Sequence, residues 1–282
     1  MSLFEAIVLG LIQGLTEFLP ISSTGHLTVT GKLMGLISDQ NPESWTAFMA
    51  VIQLGTLFAV LLYFWKDLVN IALSFLKENI FARKPFKNQS EDSKLGWYIL
   101  IGSVPVFIIG MLFKDFIEGA FTKSLYVIAI SLIALGILLA AAEKLSKFTR
   151  GMEKITWKDS LIIGFAQALA LIPGSSRSGT TITAGLFLGL KRETAARFSF
   201  LLSIPAVFGS GVLEFYHEAK NLDQSGYVLL IVATIVSAIS GYLAISFLLN
   251  FLKKNSTYIF VIYRILIGVT ILIFLYSGLL KP

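Results

Sequence analysis

The chain has 282 residues, of which 55% are hydrophobic and 14% charged, with a net charge of +6 and no cysteine. A mean hydropathy of +0.79 is too high for a soluble globular domain and typical of a polytopic membrane protein. The lack of cysteine excludes disulfides, thiol nucleophiles and thiolate metal sites. The basic residues lie between apolar stretches rather than in one patch, so the charge fits contact with a lipid leaflet and shows no nucleic-acid signature.

The first apolar stretch, 3–15, carries Glu5 and has neither a basic n-region nor a small-residue cleavage site, so it reads as part of the mature protein. It is too short to cross about 30 Å of hydrocarbon, which takes roughly 20 helical residues. It runs into the polar string EFLPISSTGH at 17–26 and reads as a re-entrant helix. Full spans are predicted at about 47–65, 97–113 and 124–142. A second short stretch, 159–172, leads into PGSSRSGTT at 173–181 and, with about 181–190, is again re-entrant. Three more spans follow at 196–215, 226–249 and 258–276. Irregular backbone at membrane depth is tolerated only inside protein or beside a wet cavity, so the two polar strings predict a cavity.

Lys and Arg alternate along the chain. The segments 66–96, 143–158, 191–197 and 250–257 hold six, five, three and two of them, whereas 22–46, 114–123, 216–225 and 277–282 hold one, two, one and one. By the positive-inside rule the first set is cytoplasmic, and the two short stretches then enter from opposite sides. Internal similarity agrees. At an offset of 154, Gly10 aligns with Gly164, Gln13 with Gln167, Ser22 with Ser176, Thr24 with Ser178 and Gly25 with Gly179. Segments 48–65 and 198–215 are also alike, each opening on Phe and reaching a break at Gly55 or Pro205. The expected fold is an all-α integral membrane protein, a single membrane domain over 1–282, with six transmembrane helices plus re-entrant helices in two inverted repeats of about 1–145 and 155–282.

The aligned motifs differ where chemistry is expected: Glu17 faces Leu171, Ser23 faces Arg177, and His26 faces Thr180. An arginine in lipid is costly unless it meets an anion, so residues 173–181 read as an anion cradle. Gly174 and Gly179 let backbone N–H groups approach; Ser175, Ser176, Ser178 and Thr180 add hydroxyls; and Arg177 supplies a bidentate fork. A helix beginning near Thr181 would add its positive end, and phosphate or diphosphate matches so many donors best. Hydroxyls that only capped helices would require neither Arg177 nor a second similar loop. Gln13 lies one turn before Glu17 on the same helix face. Arg264 reads as a structural partner or snorkelling side chain, and His217 as a solvated residue of an exterior loop. The pairs Gly10/Gly14 and Gly185/Gly189 favour close helix packing.

The strings QGLTEFLPISSTGH and PGSSRSGTT resemble the two signatures of the bacterial undecaprenyl-diphosphate phosphatase family, the bacitracin-resistance proteins, and the likeness in length and span order covers essentially the whole chain. The resemblance implies hydrolysis of undecaprenyl diphosphate to the monophosphate and inorganic phosphate, which regenerates the lipid carrier for peptidoglycan. It also implies a divalent cation, Mg²⁺ or Ca²⁺, at Glu17, and a site open to the outer face of the plasma membrane. The family's glutamate-rich motif falls on Gln13 and Glu17, its hydroxyl-rich run on Ser22, Ser23, Thr24 and His26, and its arginine on Arg177. Many members carry Glu where this chain has Gln13, which takes no proton and adds no charge. The acid that members carry at the start of the first full span is also missing from AFMAVIQLG.

The expected catalytic residues are Glu17, Ser23, His26 and Arg177, with Gln13, Ser22, Thr24, Gly174, Ser175, Ser176, Ser178 and Thr181 binding substrate. Ser23 with His26 as its base is the favoured nucleophile; His26 itself, or water with Glu17 as base, are the alternatives. Expected partners are a polyprenyl diphosphate, the bilayer and, as an admissible assembly, a second copy of the chain. The rival reading is a polyprenyl-phosphate transporter or flippase, which shares the inverted-repeat design.

Overall fold

The computed structural model describes residues 1–37, 42–113, 117, 124–218 and 224–280. Among the described residues six helices are long and apolar enough to cross a membrane: Ser44–Tyr63, Glu91–Leu112, Leu125–Leu145, Arg192–Tyr216, Gly226–Leu252 and Tyr258–Tyr276. They coincide with the six predicted spans. In chain order the helices are α1 (Leu3–Phe18), α2 (Ser23–Leu33), α3 (Pro42–Tyr63), α4 (Trp65–Leu76), α5 (Glu91–Leu112) and α6 (Leu125–Leu145). They continue as α7 (Trp157–Ala168), α8 (Arg177–Phe187), α9 (Arg192–Glu218), α10 (Gln224–Leu252) and α11 (Tyr258–Tyr276). His217 falls within α9 rather than in a loop, and its side chain lies outside the described residues, as do the segment 118–123 and Lys220.

The two short apolar stretches begin alike. Ser2 Oγ accepts from the Glu5 amide while the Glu5 carboxylate accepts from the Ser2 amide, and Thr156 and Asp159 close the same capping box on α7. α7 is shorter than the 159–172 stretch suggests, because one 3₁₀ turn, Leu169–Leu171, intervenes before Pro173. α8 starts at Arg177 rather than near Thr181, which puts the arginine on the first helical residue. α2 and α4 were not anticipated. α2 is rich in Thr and Gly, and Ser22 caps it where hydropathy gives no signal. The breaks expected at Gly55 and Pro205 are also absent: α3 and α9 run through them, and Gly55 instead allows contact with the Thr234 carbonyl.

In lipid the apolar surface gains little by meeting other apolar surface, so helices associate through close packing and satisfied polar groups. α1 packs mainly on α10 and α7 on α5, so each short helix lies against a span from the other half of the chain. A Cβ at Gly14 would collide with Ser240 Oγ and the Ser237 carbonyl, and one at Gly164 with the Gly102 carbonyl. Gly10 allows the matching approach to Ala233. Gly189 is different from its expected role, for its φ of +80° ends α8 in a left-handed turn. The main core joins Phe18 and Phe64 to Phe198, Phe200 and Ile245, with Phe18 and Phe200 edge to face at 5.1 Å. α11 shows the division between lipid and interior: Ile259, Ile262, Leu266 and Ile273 are exposed, whereas Phe260, Arg264, Gly268 and Ile271 are buried.

Arg150 fastens both ends of the α7–α8 pair. Its Nη1 donates to Asp159 Oδ1 at 3.0 Å, at the start of α7, and to the Leu188 carbonyl at 2.8 Å, just past α8. Burial pushes the Asp159 carboxyl up, but its hydrogen bonds from Arg150 and Thr156 together outweigh this and hold it below the ordinary carboxylate range. A carboxyl held low in the folded state adds stability above its unfolded value of about 3.9 and loses it as pH falls through the lower folded value. Asp159→Asn is therefore expected to lower the melting temperature in detergent at pH 7, with the difference from wild type shrinking below about pH 4.

Candidate active site

Glu17 sits in the last turn of α1, where a carboxylate opposes the helix dipole. Three donors hold it there. Arg177 Nη2 donates to its Oε1 at 2.8 Å, while Gln13 Nε2 and Ser23 Oγ donate to Oε2 at 2.9 and 2.7 Å. Residues 160 positions apart thus meet in one buried ion pair, with side-chain exposures of 13% for Arg177 and 4% for Glu17. Arg177 Nη1 also donates to the Ser199 carbonyl of α9 at 3.3 Å.

Ser23 and Arg177 are each the first residue of a helix, and each follows a serine in an unusual backbone state. Ser22 has φ 77° and ψ 97°, and Ser176 has φ 68° and ψ 112°. Such conformations cost about 1–3 kcal/mol for a residue with a Cβ and gather where a site must be held in one shape. The strained serines cap their helices, Ser22 Oγ accepting from the Gly25 amide and Ser176 Oγ from the Gly179 amide. The first amides of α2 and α8 remain outside the helical ladders, and both helices present their positive ends.

Arg264 holds the two loops together. It is fully buried, and its guanidinium donates to the carbonyls of Pro20 in the first loop and Gly174 and Ser175 in the second, and to Ser131 and Leu132 of α6, at 3.0–3.4 Å. It is a structural partner and does not snorkel. Gly179 is required here because a Cβ would press on Arg264 Nη1, and Gly174 because its φ is +85° and a Cβ would strike the Ile128 carbonyl.

The polar groups close one end of a cavity of about 480 Å³. Glu17, Ser23, Thr24, Gly174, Ser176 and Arg177 line that end, and the remaining lining combines apolar side chains of α3, α5 and α9, such as Met49, Phe107 and Val207, with polar ones, among them Gln53, Gln167 and Glu214. The other expected binding residues have different surroundings. Ser178 Oγ donates to the Leu19 carbonyl, Thr181 bonds Ser199 Oγ at 2.6 Å, and Ser175 offers its carbonyl to Arg264, so these three tie the loops to their supports. Ser22 acts as a cap.

His26 is not paired with Ser23. Its Nδ1 lies 2.7 Å from the Ser22 carbonyl and its Nε2 2.7 Å from the Tyr263 hydroxyl, with the two rings stacked at 5.6 Å. A carbonyl only accepts, so Nδ1 carries a proton, and in the neutral ring Nε2 then accepts from Tyr263. The expected Ser23–His26 contact is replaced by Ser23–Glu17, because the first turn of α2 aims Ser23 at α1 and His26 at α11. Sequence reading passed over Tyr263, Ser199 and Gln167; only Gln167 carried a signal, its alignment with Gln13.

Among the described residues no three His, Asp or Glu side chains group as a metal site. Glu17 and the carbonyl Oε1 of Gln13, which is buried without a partner among the described residues, are hard oxygen donors. They fit Mg²⁺ or Ca²⁺ where phosphate oxygens and water complete the coordination.

The fold and site define a polytopic α-helical membrane protein in which an arginine, a carboxylate and a serine meet at a largely apolar cavity. Its sequence relatives narrow that class. The profile of the family described as "Bacitracin resistance protein BacA" matches residues 6–270. The chain is 58% identical to the undecaprenyl-diphosphatase of Syntrophobacter fumaroxidans over 268 residues, 95% of each chain. It is 51% identical to that of Chlorobium phaeovibrioides over the full length of both, and 50% identical to that of Myxococcus xanthus over all of this chain and 92% of the relative. The chain belongs to the bacitracin resistance protein BacA family.

Proposed function

We propose that this protein is an undecaprenyl-diphosphatase, hydrolysing undecaprenyl diphosphate to undecaprenyl phosphate and inorganic phosphate, and so recycling the lipid carrier for peptidoglycan synthesis and conferring bacitracin resistance. The observation that carries this is the meeting of Arg177, Glu17 and Ser23 at the polar end of an apolar-walled cavity, in a chain about half identical to proteins of that name. Release of inorganic phosphate by purified protein in detergent, measured over a panel of prenyl diphosphates, tests it. A flippase binds the anion and releases none.

The chemistry follows from the resting contacts. An incoming diphosphate competes with Glu17 for the Arg177 fork, and the freed carboxylate remains within reach of the Ser23 proton. Ser23 Oγ attacks the terminal phosphorus, its proton passes to Glu17, and the bond to the prenyl phosphate oxygen breaks. Water then hydrolyses the phosphoserine. Arg177 and the amides of α2 and α8 hold the charge that builds on the equatorial oxygens. A divalent cation at Glu17 would supply further neutralisation of the diphosphate. Glu17→Gln is expected to raise the Mg²⁺ concentration needed for half-maximal rate, measured by titration after chelation.

We read the repeats as inverted and the cavity as open to the outer face, from the alternation of basic segments and the matched capping of α1 with α7 and α2 with α8. The cysteine-free sequence permits single-cysteine labelling without background. Cysteine placed at Lys84 is expected to react only from the cytoplasm and at Lys220 only from outside. Labelling of both from one side removes the inverted topology. Arg150 is unsuitable as a third site because it clasps α7 and α8.

A further inference from the structure

Gln167 stands in α7 where Gln13 stands in α1, 154 residues earlier. The two are not used alike. Gln13 donates to Glu17, but the place of Glu17 is taken in the second half by Leu171, which accepts nothing. Neither Gln167 Nε2 nor Oε1 has a hydrogen-bond partner among the described residues, although the residue is only 1% exposed. It lines the same cavity as Glu17, Ser23 and Arg177. Arg177 Nε is a second buried donor without a partner there.

A primary amide brings two donors and an acceptor, and burying it unpaired forfeits its hydration, whereas an apolar side chain of the same shape would forfeit nothing. A glutamine at this position is thus a liability until something completes its hydrogen bonds. It is accounted for if something that enters the cavity completes it. Phosphoryl oxygens accept and do not donate, so they match Nε2 and leave Oε1 to a water.

We infer that Gln167 is a substrate-binding residue whose Nε2 donates to an oxygen of the terminal phosphoryl group, while its Oε1 accepts from a water held against that group. The terminal phosphoryl is the part concerned because Gln167 holds in α7 the place that Gln13, the neighbour of Glu17, holds in α1, and lines one cavity with Ser23 and Arg177, whose mostly apolar lining suits the prenyl side. This inference rests on the phosphatase reading above.

The test uses Gln167→Met and Gln167→Glu in the full-length protein, with three readouts: melting temperature without ligand, the rise in melting temperature caused by inorganic pyrophosphate, and kcat/KM for a prenyl diphosphate. Gln167→Met is expected to melt no lower than wild type without ligand, because an unpaired amide has been removed. It should lose the pyrophosphate-induced rise and lower kcat/KM by about tenfold to a hundredfold, the range for one hydrogen bond to a charged group. Gln167→Glu should lower it further by facing phosphoryl oxygens with a carboxylate. A Gln167→Met protein that melts lower without ligand, or that keeps both kcat/KM and the pyrophosphate effect, overturns the inference. If wild type releases no phosphate from any prenyl diphosphate, the phosphatase reading fails, and the pyrophosphate shift still decides whether Gln167 binds the anion.

Discussion

Arg177→Ala is expected to lower phosphate release by at least about a hundredfold, the scale for losing one preorganised donor to a developing charge, and Glu17→Ala to lower it comparably. The two side chains form one buried pair, with the arginine on the first turn of α8 and the acid on the last turn of α1. Breaking such a pair from one side leaves a buried charge uncompensated, which costs about 3–5 kcal/mol of stability, so loss of activity in the single variants mixes chemistry with folding. The double variant Arg177→Met, Glu17→Gln separates them. It should regain most of the melting temperature lost by Arg177→Ala and none of the turnover. Arg177→Lys should also remain impaired, because a point charge cannot reproduce the fork that reaches both Glu17 and the Ser199 carbonyl. Near-normal turnover in Arg177→Ala would make the second loop structural and end the proposed mechanism.

The second large effect concerns the nucleophile. Ser23→Ala should reduce turnover on the order of a thousandfold or more, as removal of an attacking group does where no other can replace it. The expected trapped species, from rapid quench with substrate labelled in the terminal phosphate, is acid-stable and base-labile, as a phosphoserine is. Ser23 Oγ already donates to Glu17 Oε2, so the path for its proton exists in the resting state. His26 has both ring nitrogens engaged, by the Ser22 carbonyl and Tyr263. His26→Asn should therefore have a smaller effect than Ser23→Ala, acting through the strained Ser22 loop, and Tyr263→Phe should reproduce part of it. An acid-labile, base-stable adduct would transfer the role to His26, and wild-type-like turnover in Ser23→Ala would remove the serine mechanism.

Much of this site is legible in the sequence. Repetition of GLIQGLTEFLPISSTG as GFAQALALIPGSSRSG marked both loops, and the positions where the copies differ, Glu17 against Leu171 and Ser23 against Arg177, are among those that line the cavity. The same differences explain why the two glutamines diverge, since only Gln13 has an acid one turn on. What misled was assigning a partner by distance along the chain. His26 is three residues from Ser23, but a helix sends those side chains to different neighbours once α1 and α11 stand on its two sides. Ser178 and Thr181 looked like anion donors because hydroxyls in a loop do, yet their oxygens are spent on the Leu19 carbonyl and on Ser199. Nothing local distinguishes a hydroxyl that serves a ligand from one that satisfies a carbonyl in lipid.

By itself the sequence determined the six spans, the presence of two polar loops after short apolar helices, and the class of ligand they suit. Each of these depends on hydropathy, length or short-range pattern, which act along a single helix. Only the tertiary structure decided that Arg177 meets Glu17, that Arg264 binds the carbonyls of both loops, that Gly14 and Gly164 admit spans from the opposite half, and that Gln167 has no partner among the described residues. These depend on which helices become neighbours. In lipid that choice is made by close packing of small residues and by the need of every buried polar group for a partner, and neither can be read from one helix alone.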